Sequence, residues 1–380
     1  MRIAQVAPLF ESVPPKLYGG TERVVSYLTE ELVRLGHEVT LFASGDSQTR
    51  ARLVPGCPRA LWRDPGCRET LPQHVRLMEM VFGDVSRFDL IHFHCDYLHL
   101  PVLRRLSCPS LTTLHGRLDI PEVQSLFEEY ADIPLASISD SQRRPLPGAN
   151  WRGTIRHGLP RDLHAFSDRS EGYLAFLGRI SPEKRLDRAV EIARRSGRRL
   201  KIAAKLYPDE DDYYRQTIEP LLLDSREFVD FIGEVGGREK DEFLGKADAL
   251  LFPIDWPEPF GLVMIEALAC GTPVIAWREG SVPEVIQDGV TGFVVDSIND
   301  AVSAVGRLQW LDRRDCRHAF ESRFDAARMA EEYVTIYRRL VEPIGADSRL
   351  AGSEVGVASN GGRNKRLQAH SVLLGAGPAV

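Results

Sequence analysis

The sequence has few cysteines and none of the close pairs that mark zinc sites or disulfide frameworks. Its 380 residues hold six cysteines, and no two of them are spaced as C-x-x-C: Cys57, Cys67, Cys95, Cys108, Cys270 and Cys316. Scattered cysteines of this kind are typical of reduced thiols in a cytosolic protein. We therefore expect neither a metal site nor a disulfide-bonded secreted fold, and the expected location is the cytoplasm.

Long apolar runs and a strong positive charge are missing as well. The longest apolar run, residues 260–276, is interrupted by Glu266, Gly271 and Pro273, so it does not predict a membrane span. The opening MRIAQVAPLF is too short and too interrupted for a signal peptide. The formal net charge of −6 argues against a general nucleic-acid binder. We therefore expect neither nucleic acid as a partner nor a transmembrane segment.

Two nucleotide-binding motifs are absent. The dinucleotide pattern G-x-G-x-x-G does not occur in the first loop, and G-x-x-x-x-G-K-S/T occurs nowhere. That loop instead carries Gly19 and Gly20 before a predicted helix with Thr21 as its N-cap. Backbone without side chains would let a phosphate or sugar approach N–H groups at the helix start, although glycines also serve plain turns. The missing dinucleotide motif argues against a nicotinamide-dependent oxidoreductase, which we keep as an alternative.

Short apolar strands alternate with amphipathic helices along the chain. Strands are predicted at residues 2–7, 38–43, 89–93, 110–114, 135–139, 173–177, 199–204, 227–231, 248–252 and 273–276. Helices are predicted from about residue 21, near 121–130, at 183–196, 211–222 and 238–246, from about 260, and near 297–312. Residues 46–87 are less regular and suggest a loop plus a helix near 77–82.

Two successive α/β alternations predict two doubly wound domains with mostly parallel sheets facing across a cleft. We place the first domain at residues 1–165 and the second at 166–323, with a C-terminal helix over 324–344. A return of that helix to the first domain is one option. Residues 345–380 are small and polar, which is typical of a disordered tail. Since ligands bind beyond the carboxyl ends of parallel strands, the default site is the cleft.

The stretch WPEPFGLVMIEALACGTPVIA, residues 256–276, holds two carboxylates eight positions apart. Glu258 lies in a turn between two prolines, and Glu266 lies in a helix that is apolar nearly all round. Such a helix is buried, and an ionised carboxylate in it is unfavourable unless it is paired or hydrogen-bonded. Glu266 is therefore either a core residue bonded to an arginine or a backbone group, or an acceptor for ligand hydroxyl or ammonium groups.

Two cations and a histidine follow other predicted strands. Arg179 and Lys184 are placed near the start of the next helix, where cations oppose the helix dipole. A bound diphosphate would explain them, and a solvated basic surface is the alternative. His115, followed by Gly116, closes a strand and is either a cap or a donor to a ligand hydroxyl.

Other polar clusters are interpreted as structural. His92 and His94 alternate on one strand, as on an ordinary strand face, and with Asp96 they lack convincing spacing for a metal site. The acidic run at residues 209–212 is interpreted as a helix start.

Taken together, these segments resemble one family. EPFGLVMIEALACGTPVIA resembles the E-x7-E signature of the retaining glycosyltransferases of family 4, which have the two-domain GT-B fold. The resemblance also covers YGGT at 18–21, HG at 115–116, SDSQR at 139–143, Gly178 to Lys184, and GVTGF at 289–293. The resemblance extends from residue 1 to about residue 342, and the matching segments follow one another in the same order as in the family. Within the family, the N-terminal part is similar to bacterial UDP-glucose:tetrahydrobiopterin glucosyltransferases.

The resemblance implies a role for each matching position. Glu266 would accept hydrogen bonds from ribose hydroxyls of a sugar nucleotide, and Glu258 would contact hydroxyls of the donor sugar. Arg179 and Lys184 would neutralise the diphosphate, with no metal required. His115 would lie beside the reacting centre. The remaining matches would bind the sugar-nucleotide donor through their backbone: Gly19, Gly20, Phe260, Gly261 and Leu262. Of these residues, Glu258, His115, Arg179 and Lys184 would be the catalytic ones.

The implied function is transfer of a hexose, with glucose from UDP-glucose expected, to an acceptor bound by the first domain. A pterin, a glycan or a lipid-linked sugar could be that acceptor. The alternatives on the same fold are a non-catalytic sugar-nucleotide-binding protein and a sugar-nucleotide epimerase. The chain departs from the family at His157, where asparagine is usual, and at 203–207, AAKLY, where a glycine-rich turn is common. Neither departure is expected to touch the site residues.

Overall fold

Two parallel β-sheets organise the computed structural model, which describes residues 1–16, 19–106, 108–205 and 211–342. The strands of the first sheet are β1 Arg2–Val6, β2 Glu38–Ser44, β3 Arg52–Cys57, β4 Leu90–Phe93, β5 Ser110–Thr113, β6 Leu135–Ser137 and β7 Trp151–Thr154. Those of the second sheet are β8 Tyr173–Arg179, β9 Arg199–Lys205, β10 Val229–Gly233, β11 Ala247–Phe252, β12 Val274–Trp277 and β13 Gly292–Val295. The prediction of two doubly wound parallel sheets is confirmed.

Helices connect the strands and cover the sheets. The helices between strands of the first sheet are α1 Gly20–Arg34, α2 Leu71–Gly83, α3 Leu100–Leu103, α4 Pro121–Glu129 and α5 Asp140–Arg143. The later ones are α6 Leu186–Ser196, α7 Asp211–Tyr213, α8 Glu219–Asp224, α9 Gly237–Gly245, α10 Leu262–Ala269, α11 Val282–Val285, α12 Ile298–Arg307, α13 Arg313–Arg323 and α14 Ala326–Val341. In the described part of the chain, every helix is too short or too polar to cross a membrane.

The strand orders place a switch point in each sheet. The first sheet runs β3-β2-β1-β4-β5-β6-β7, so the chain changes direction between β1 and β4. The second runs β10-β9-β8-β11-β12-β13, with the change between β8 and β11. Loops after these four strands diverge and leave a crevice at the carboxyl edge of each sheet. We call the part built on the first sheet, with α14, the first lobe, and the part built on the second sheet the second lobe.

Three strands were missing from the sequence-based prediction, and all three lie at sheet edges. These are β3, β7 and β13. The segment of β3, RLVPGC, contains Pro55 and Gly56, which weaken any strand pattern. Proline is tolerated there because an edge strand has one side without ladder partners. Edge strands carry less of the buried apolar signal, so their pattern is the hardest to recognise.

Several helix predictions were wrong in detail. Thr21 is not the N-cap of α1, because the helix begins at Gly20 and Gly19 precedes it without a side-chain cap. The helix predicted over 183–196 begins only at Leu186, after a 3-10 turn at Pro182–Lys184. The helix predicted over 211–222 divides into α7, a π-helical turn at Tyr214–Ile218, and α8. Residues 209–210 of the acidic run and the tail 345–380 lie outside the described residues.

The chain passes between the lobes twice, at adjacent positions. Leu159 forms a parallel bridge with Asp325, through Leu159 N–H to Phe324 O at 2.9 Å and Ala326 N–H to Leu159 O at 2.9 Å. Gly158 packs so closely that an added Cβ would lie 2.5 Å from the Asp325 carbonyl oxygen. After this crossing α14 packs against α1 and β4 of the first lobe. The predicted domain limits at residues 165 and 323 stay predictions.

Candidate functional site

A cavity of about 470 Å³ lies where the carboxyl edges of the two sheets meet. The loops after β1, β4, β8 and β11 all contribute to its wall. Every predicted site residue lines it: Gly19, Gly20, His115, Arg179, Lys184, Glu258, Phe260, Gly261, Leu262 and Glu266. These residues come from segments far apart in sequence, and the two switch points bring them together. Their individual roles stay predictions.

Glu258 lies in the loop after β11 and is paired with the cation that was predicted for the diphosphate. Lys184 Nζ lies 2.5 Å from Glu258 Oε2, and Trp256 Nε1 donates to the same oxygen at 3.1 Å. The Lys184 ammonium also lies 4.8 Å from the centre of the Trp256 ring. Both side chains of the ion pair are largely buried. A ligand that uses either group must therefore replace or share this contact.

Arg179 ends β8 and contacts a carboxylate of the next turn. Its Nη2 donates to Glu183 Oε1 at 2.6 Å, and both side chains are about a third exposed. The sequence placed Arg179 and Lys184 near the start of the next helix; both lie outside the helix itself, because α6 begins only at Leu186. Arg185 adopts a left-handed conformation with φ of 51° and separates the 3-10 turn from the helix. Both cations nevertheless line the cavity.

Glu266 is an ionised carboxylate within a buried helix. It lies on α10, where residues 264–269 are all buried, and Lys240 Nζ on α9 contacts its Oε1 at 3.0 Å. Burial alone would raise the pKa of Glu266. The positive charges of Lys240, His164 and Arg23 and the hydrogen bond from Lys240 outweigh burial and lower the pKa to about 2. The partner is thus a lysine, and Glu266 is held charged at the cavity wall.

The start of α10 presents backbone to the cavity. Gly261 precedes the helix with φ of 79°, and an added Cβ would lie 2.7 Å from Met264 Cε. The positive φ therefore favours glycine there, and a side chain would also require the Met264 methyl group to move. Phe260, Gly261 and Leu262 follow one another around this turn and all line the cavity.

Gly19 and Gly20, at the start of α1, lie on the opposite wall. Gly19 has φ of 147°, and an added Cβ would lie 2.8 Å from Pro15 Cβ. Gly20 begins the helix, and an added Cβ would lie 3.6 Å from Leu262 Cδ1 of the second lobe. The positive end of the 15-residue helix α1 thus borders the cavity close to the start of α10.

Three histidines form one wall of the cavity. His94 Nδ1 lies 2.9 Å from His115 Nε2, and the ring of His157 stacks on His115 with centroids 5.3 Å apart. His157 also meets Phe260 edge-on at 4.8 Å. The expectation that His157 would not touch the site residues was therefore wrong. His94 was interpreted as an ordinary strand-face residue, and its ring instead supports His115.

Burial keeps these imidazoles neutral, which determines how their nitrogens are used. Burial lowers the pKa of His115 to about 3, and it lowers the pKa of His94 and His157 well below the ordinary value. Gln5 Oε1 can only accept, so His94 Nε2, at 2.9 Å, carries the proton. His94 Nδ1 then accepts from His115 Nε2–H. His115 Nδ1 is left as an acceptor, and this buried atom has no hydrogen-bond partner among the described residues.

Two acidic residues of the first lobe also line the cavity, and the sequence analysis missed both. Glu22 follows Gly20 in α1, and Asp96 follows β4 with φ of 45°. Burial raises the pKa of Glu22 to about 7 and raises the pKa of Asp96. Glu22 was hidden in an ordinary amphipathic helix, so only its position two residues after Gly20 could have indicated it.

The raised pKa of Glu22 predicts how the stability of the folded protein depends on pH. Between the ordinary pKa of 4.5 and about 7, the folded state binds more protons than the unfolded state, so stability falls as pH rises. Glu22→Gln removes this loss and should stabilise the protein by up to about 3 kcal/mol at pH 8, with a smaller gain at pH 5. Urea unfolding at both pH values measures it. Exposed Glu38→Gln is the matched control, and a gain that shrinks with rising pH contradicts the prediction.

One group of metal-ligating side chains lies outside the cavity wall. His164, Asp241 and Cys270 have ligand atoms within 4.8 Å of one another. His164 Nδ1 and Asp241 Oδ1 already contact each other at 2.6 Å. Burial raises the pKa of the Cys270 thiol to about 12, so it is a poor ligand at neutral pH. None of the six cysteines forms a disulfide.

Comparison with protein families identifies two adjoining matches. Residues 18–163 match the model described as Glycosyltransferase Family 4, and residues 165–324 match Glycosyl transferases group 1. Together the two matches cover well over half of the chain and include most of the cavity wall.

Curated relatives match to different extents. An uncharacterized 41.2 kDa protein in the cps region of Klebsiella pneumoniae is 37% identical over 120 residues, which is 30% of this chain and 33% of that protein. Spore coat protein SA of Bacillus subtilis (strain 168) is 24% identical over 89% of this chain and 100% of its own length. D-inositol 3-phosphate glycosyltransferase of Mycobacterium tuberculosis is 29% identical over 55% of this chain and 44% of its own. The chain thus spans less than half of two of these relatives.

Solved structures share the fold across nearly the whole described chain. AviGT4, a glycosyltransferase involved in avilamycin A biosynthesis, has a TM-score of 0.69 at 24% identity, covering 90% of this chain and 98% of its own. Sucrose-phosphate synthase from Thermosynechococcus elongatus has a TM-score of 0.74 at 20% identity, covering 89% and 98%. Anabaena HepE in complex with UDP and glucose has a TM-score of 0.67 at 19% identity, covering 89% and 100%. The GT-B fold expected from the sequence is confirmed.

Proposed function

This chain belongs to the group 1 glycosyltransferases of family 4, and from that membership we propose that it transfers glucose from UDP-glucose to an acceptor, with retention at the anomeric carbon. The acceptor would be a small molecule such as a pterin, a saccharide or a lipid-linked sugar, bound on the side of the first lobe. The proposal requires no metal ion and no further cofactor.

The observation that supports this proposal is the set of charged groups gathered in one cavity. Two buried carboxylates, Glu258 and Glu266, each contact a lysine, and the cations Arg179 and Lys184 lie beside them. Carboxylates can accept from several hydroxyl groups, whereas a diphosphate needs neutralising cations. One sugar nucleotide presents all of these groups along its length, with ribose hydroxyls, a diphosphate and hexose hydroxyls in that order.

We assign the ribose end of the donor to Glu266 and the hexose end to Glu258. Lys240 keeps Glu266 ionised, which makes it a strong acceptor for a diol. Arg179 and Lys184 would hold the diphosphate between these two ends. When the diphosphate binds, Lys184 would share its charge with the phosphate oxygens and leave Glu258 able to accept from the sugar.

The proposed reaction breaks the bond between the anomeric carbon and the diphosphate oxygen. The diphosphate leaves from the face on which the acceptor arrives. The acceptor oxygen forms the new bond to the anomeric carbon, and a diphosphate oxygen takes the proton of the acceptor hydroxyl. Arg179 and Lys184 would stabilise the negative charge that develops on the leaving group. Glu258 and Glu266 would bind donor hydroxyls and would not act as an acid and nucleophile pair.

His115 would position the hexose near the reacting carbon. Its neutral ring keeps an acceptor nitrogen, Nδ1, without a partner among the described residues, and a sugar hydroxyl can donate to it. His94 holds the ring through its hydrogen bond, and His157 supports it by stacking. The start of α1 at Gly19 and Gly20 and the backbone of residues 260–262 would complete the donor site.

A donor panel followed by product analysis tests the proposed function. Thermal unfolding with UDP-, GDP- and ADP-hexoses should give the largest rise in Tm for UDP-glucose, because a ligand that binds only the folded state stabilises it. Incubation with UDP-glucose and a pterin, a glycan or a lipid-linked sugar should then give a product heavier by one hexose in mass spectrometry. NMR of that product should show the anomeric configuration of the donor.

Three outcomes contradict parts of this proposal. A Tm that no nucleotide sugar raises contradicts the donor site itself. Binding of UDP-glucose with neither hydrolysis nor transfer indicates a non-catalytic binding protein. A changed sugar in the absence of any acceptor indicates an epimerase.

A further inference from the structure

A second cavity, also of about 470 Å³, lies away from the candidate donor site. One wall is β7 and the residues directly after it, and the other is the end of α13 with one face of α14. Its charged lining consists of five arginines and one glutamate: Arg152, Arg156, Arg323, Arg328, Arg339 and Glu332. The whole chain carries a net charge of −6, so this concentration of positive charge is local.

The periodicity of both walls explains why these side chains meet. Arg152 and Arg156 lie four positions apart in extended chain, where alternate side chains point to the same side. On α14, Arg328, Glu332 and Arg339 are separated by four and seven residues, which places them on one helix face. The sequence therefore aligns two rows of arginines across a cavity, although neither row forms a basic run that the sequence alone would reveal.

Few carboxylates balance these charges. Arg328 pairs with Glu332 at 2.7 Å, and Arg156 lies 3.3 Å from Glu284 and 3.5 Å from Asp140. Arg323 donates to the carbonyl oxygens of Val285 and Glu284, which carry no full charge.

The described residues place no carboxylate within ion-pair distance of three of the arginines, Arg152, Arg323 and Arg339. The lining therefore has an excess of cations.

Buried N–H groups of these arginines also lack hydrogen-bond acceptors. The Nε atoms of Arg156 and Arg328 are buried and have no hydrogen-bond partner among the described residues. Burial lowers the pKa of Arg323, and the positive charges of Arg156 and Arg328 lower it further. The guanidinium groups of Arg156 and Arg328 therefore repel that of Arg323, and two buried N–H donors are left without an acceptor among the described residues. An anion with several acceptor oxygens would satisfy the donors and relieve the repulsion.

We propose that this cavity is a second binding site, which holds a small soluble molecule bearing a phosphate group. Arginine matches phosphate oxygens with paired N–H groups, and the arginines converge from two walls. The cavity volume lies in the range of small-molecule sites. Concave walls and the acidic charge of the rest of the chain argue against an extended nucleic acid. Because Arg156 and Arg323 flank the two chain crossings between the lobes, the ligand would bind beside these crossings.

Isothermal calorimetry on the full chain with inorganic phosphate and with glucose 6-phosphate tests the proposal. The double variant Arg152→Gln/Arg339→Gln removes two exposed cations that make no ion pair in the described part of the chain. Compared with the wild type, the double variant should lose one phosphate-binding event or bind phosphate at this site at least tenfold more weakly. Arg338→Gln is the matched control, because Arg338 is an exposed neighbour on α14 outside the cavity. The affinity of the Arg338→Gln variant for phosphate should equal that of the wild type.

Thermal unfolding in phosphate-free buffer separates ligand binding from a structural role. The double variant should have a Tm equal to or above that of the wild type, because it removes like charges. A lower Tm would show that these arginines stabilise the fold by themselves and would overturn the proposal. Equal phosphate binding by the double variant would overturn it too. So would flotation with phosphatidic acid vesicles combined with no binding of either soluble phosphate, since that result indicates a lipid surface.

Discussion

Glu266→Gln should weaken the binding of UDP by about ten- to a hundredfold, the effect of losing about 1.5–3 kcal/mol of charge-assisted hydrogen bonding. The carboxylate is held ionised by Lys240 at 3.0 Å, and an amide oxygen in its place accepts more weakly. Isothermal calorimetry with UDP measures the change. The same titration with uridine should show a similar ratio, because the proposed contact is to the ribose.

Controls separate this effect from damage to the fold. Glu239→Gln is the matched control on α9, because its side chain is exposed directly beside Lys240. In Glu266→Gln the partly buried Lys240 loses its counter-charge, which destabilises the protein. The double variant Lys240→Met/Glu266→Gln removes that charge and should still bind UDP weakly. Wild-type UDP affinity in a folded Glu266→Gln protein would contradict the ribose assignment.

Arg179→Gln should lower kcat by about a hundred- to a thousandfold, a loss typical for one group that stabilises developing charge. Arg179 lines the cavity at the end of β8 and contacts Glu183, and we propose that it meets the diphosphate as the sugar leaves. Charge on the leaving group grows in the transition state, so the effect on kcat should exceed that on donor affinity. Initial rates at saturating UDP-glucose, with UDP release as the signal, measure the change.

The matched control for this variant removes the partner and keeps the cation. Glu183→Gln leaves Arg179 in place without its ion pair to Glu183, and its kcat should stay near that of the wild type. A kcat in Arg179→Gln equal to that of the wild type at saturating donor would show that the arginine does not act on the leaving group. An equal loss in both variants would instead indicate that the ion pair orders the loop.

Local pattern was enough to predict most of the fold. Alternating apolar strands and amphipathic helices predicted both sheets, because central strands such as β1 and β8 are buried on both faces and stand out in sequence. The edge strands β3, β7 and β13 were missed because they carry less apolar signal. The starts of α1 and α6 were predicted less accurately. Gly19 and Arg185 precede these helices with unusual backbone conformations, and no capping side chain marks either start.

The candidate site was predictable as a set of residues but not as a set of contacts. Every residue singled out for it lines one cavity, because the positions follow strands that end at switch points. The lysine beside each carboxylate depends on which loops and helices lie next to each other in space. Lys184 lies in a 3-10 turn and Glu258 in a loop, whereas Lys240 and Glu266 lie in helices. Likewise, His94 meets His115 only because β4 and β5 are neighbours in the sheet. Such long-range pairings leave no trace in local spacing.

The return of α14 to the first lobe prevents the two lobes from being exchanged between relatives as simple modules. The Tyr337 hydroxyl accepts from Gln5 and bonds to His92, and Tyr333 bonds to Thr113, all in the buried interior. A chimera with a relative, joined at residue 158, would combine the first sheet of one parent with the tyrosines of the other. A compatible exchange of first lobes must carry residues 1–158 together with 326–341, because these two distant segments pack as one unit.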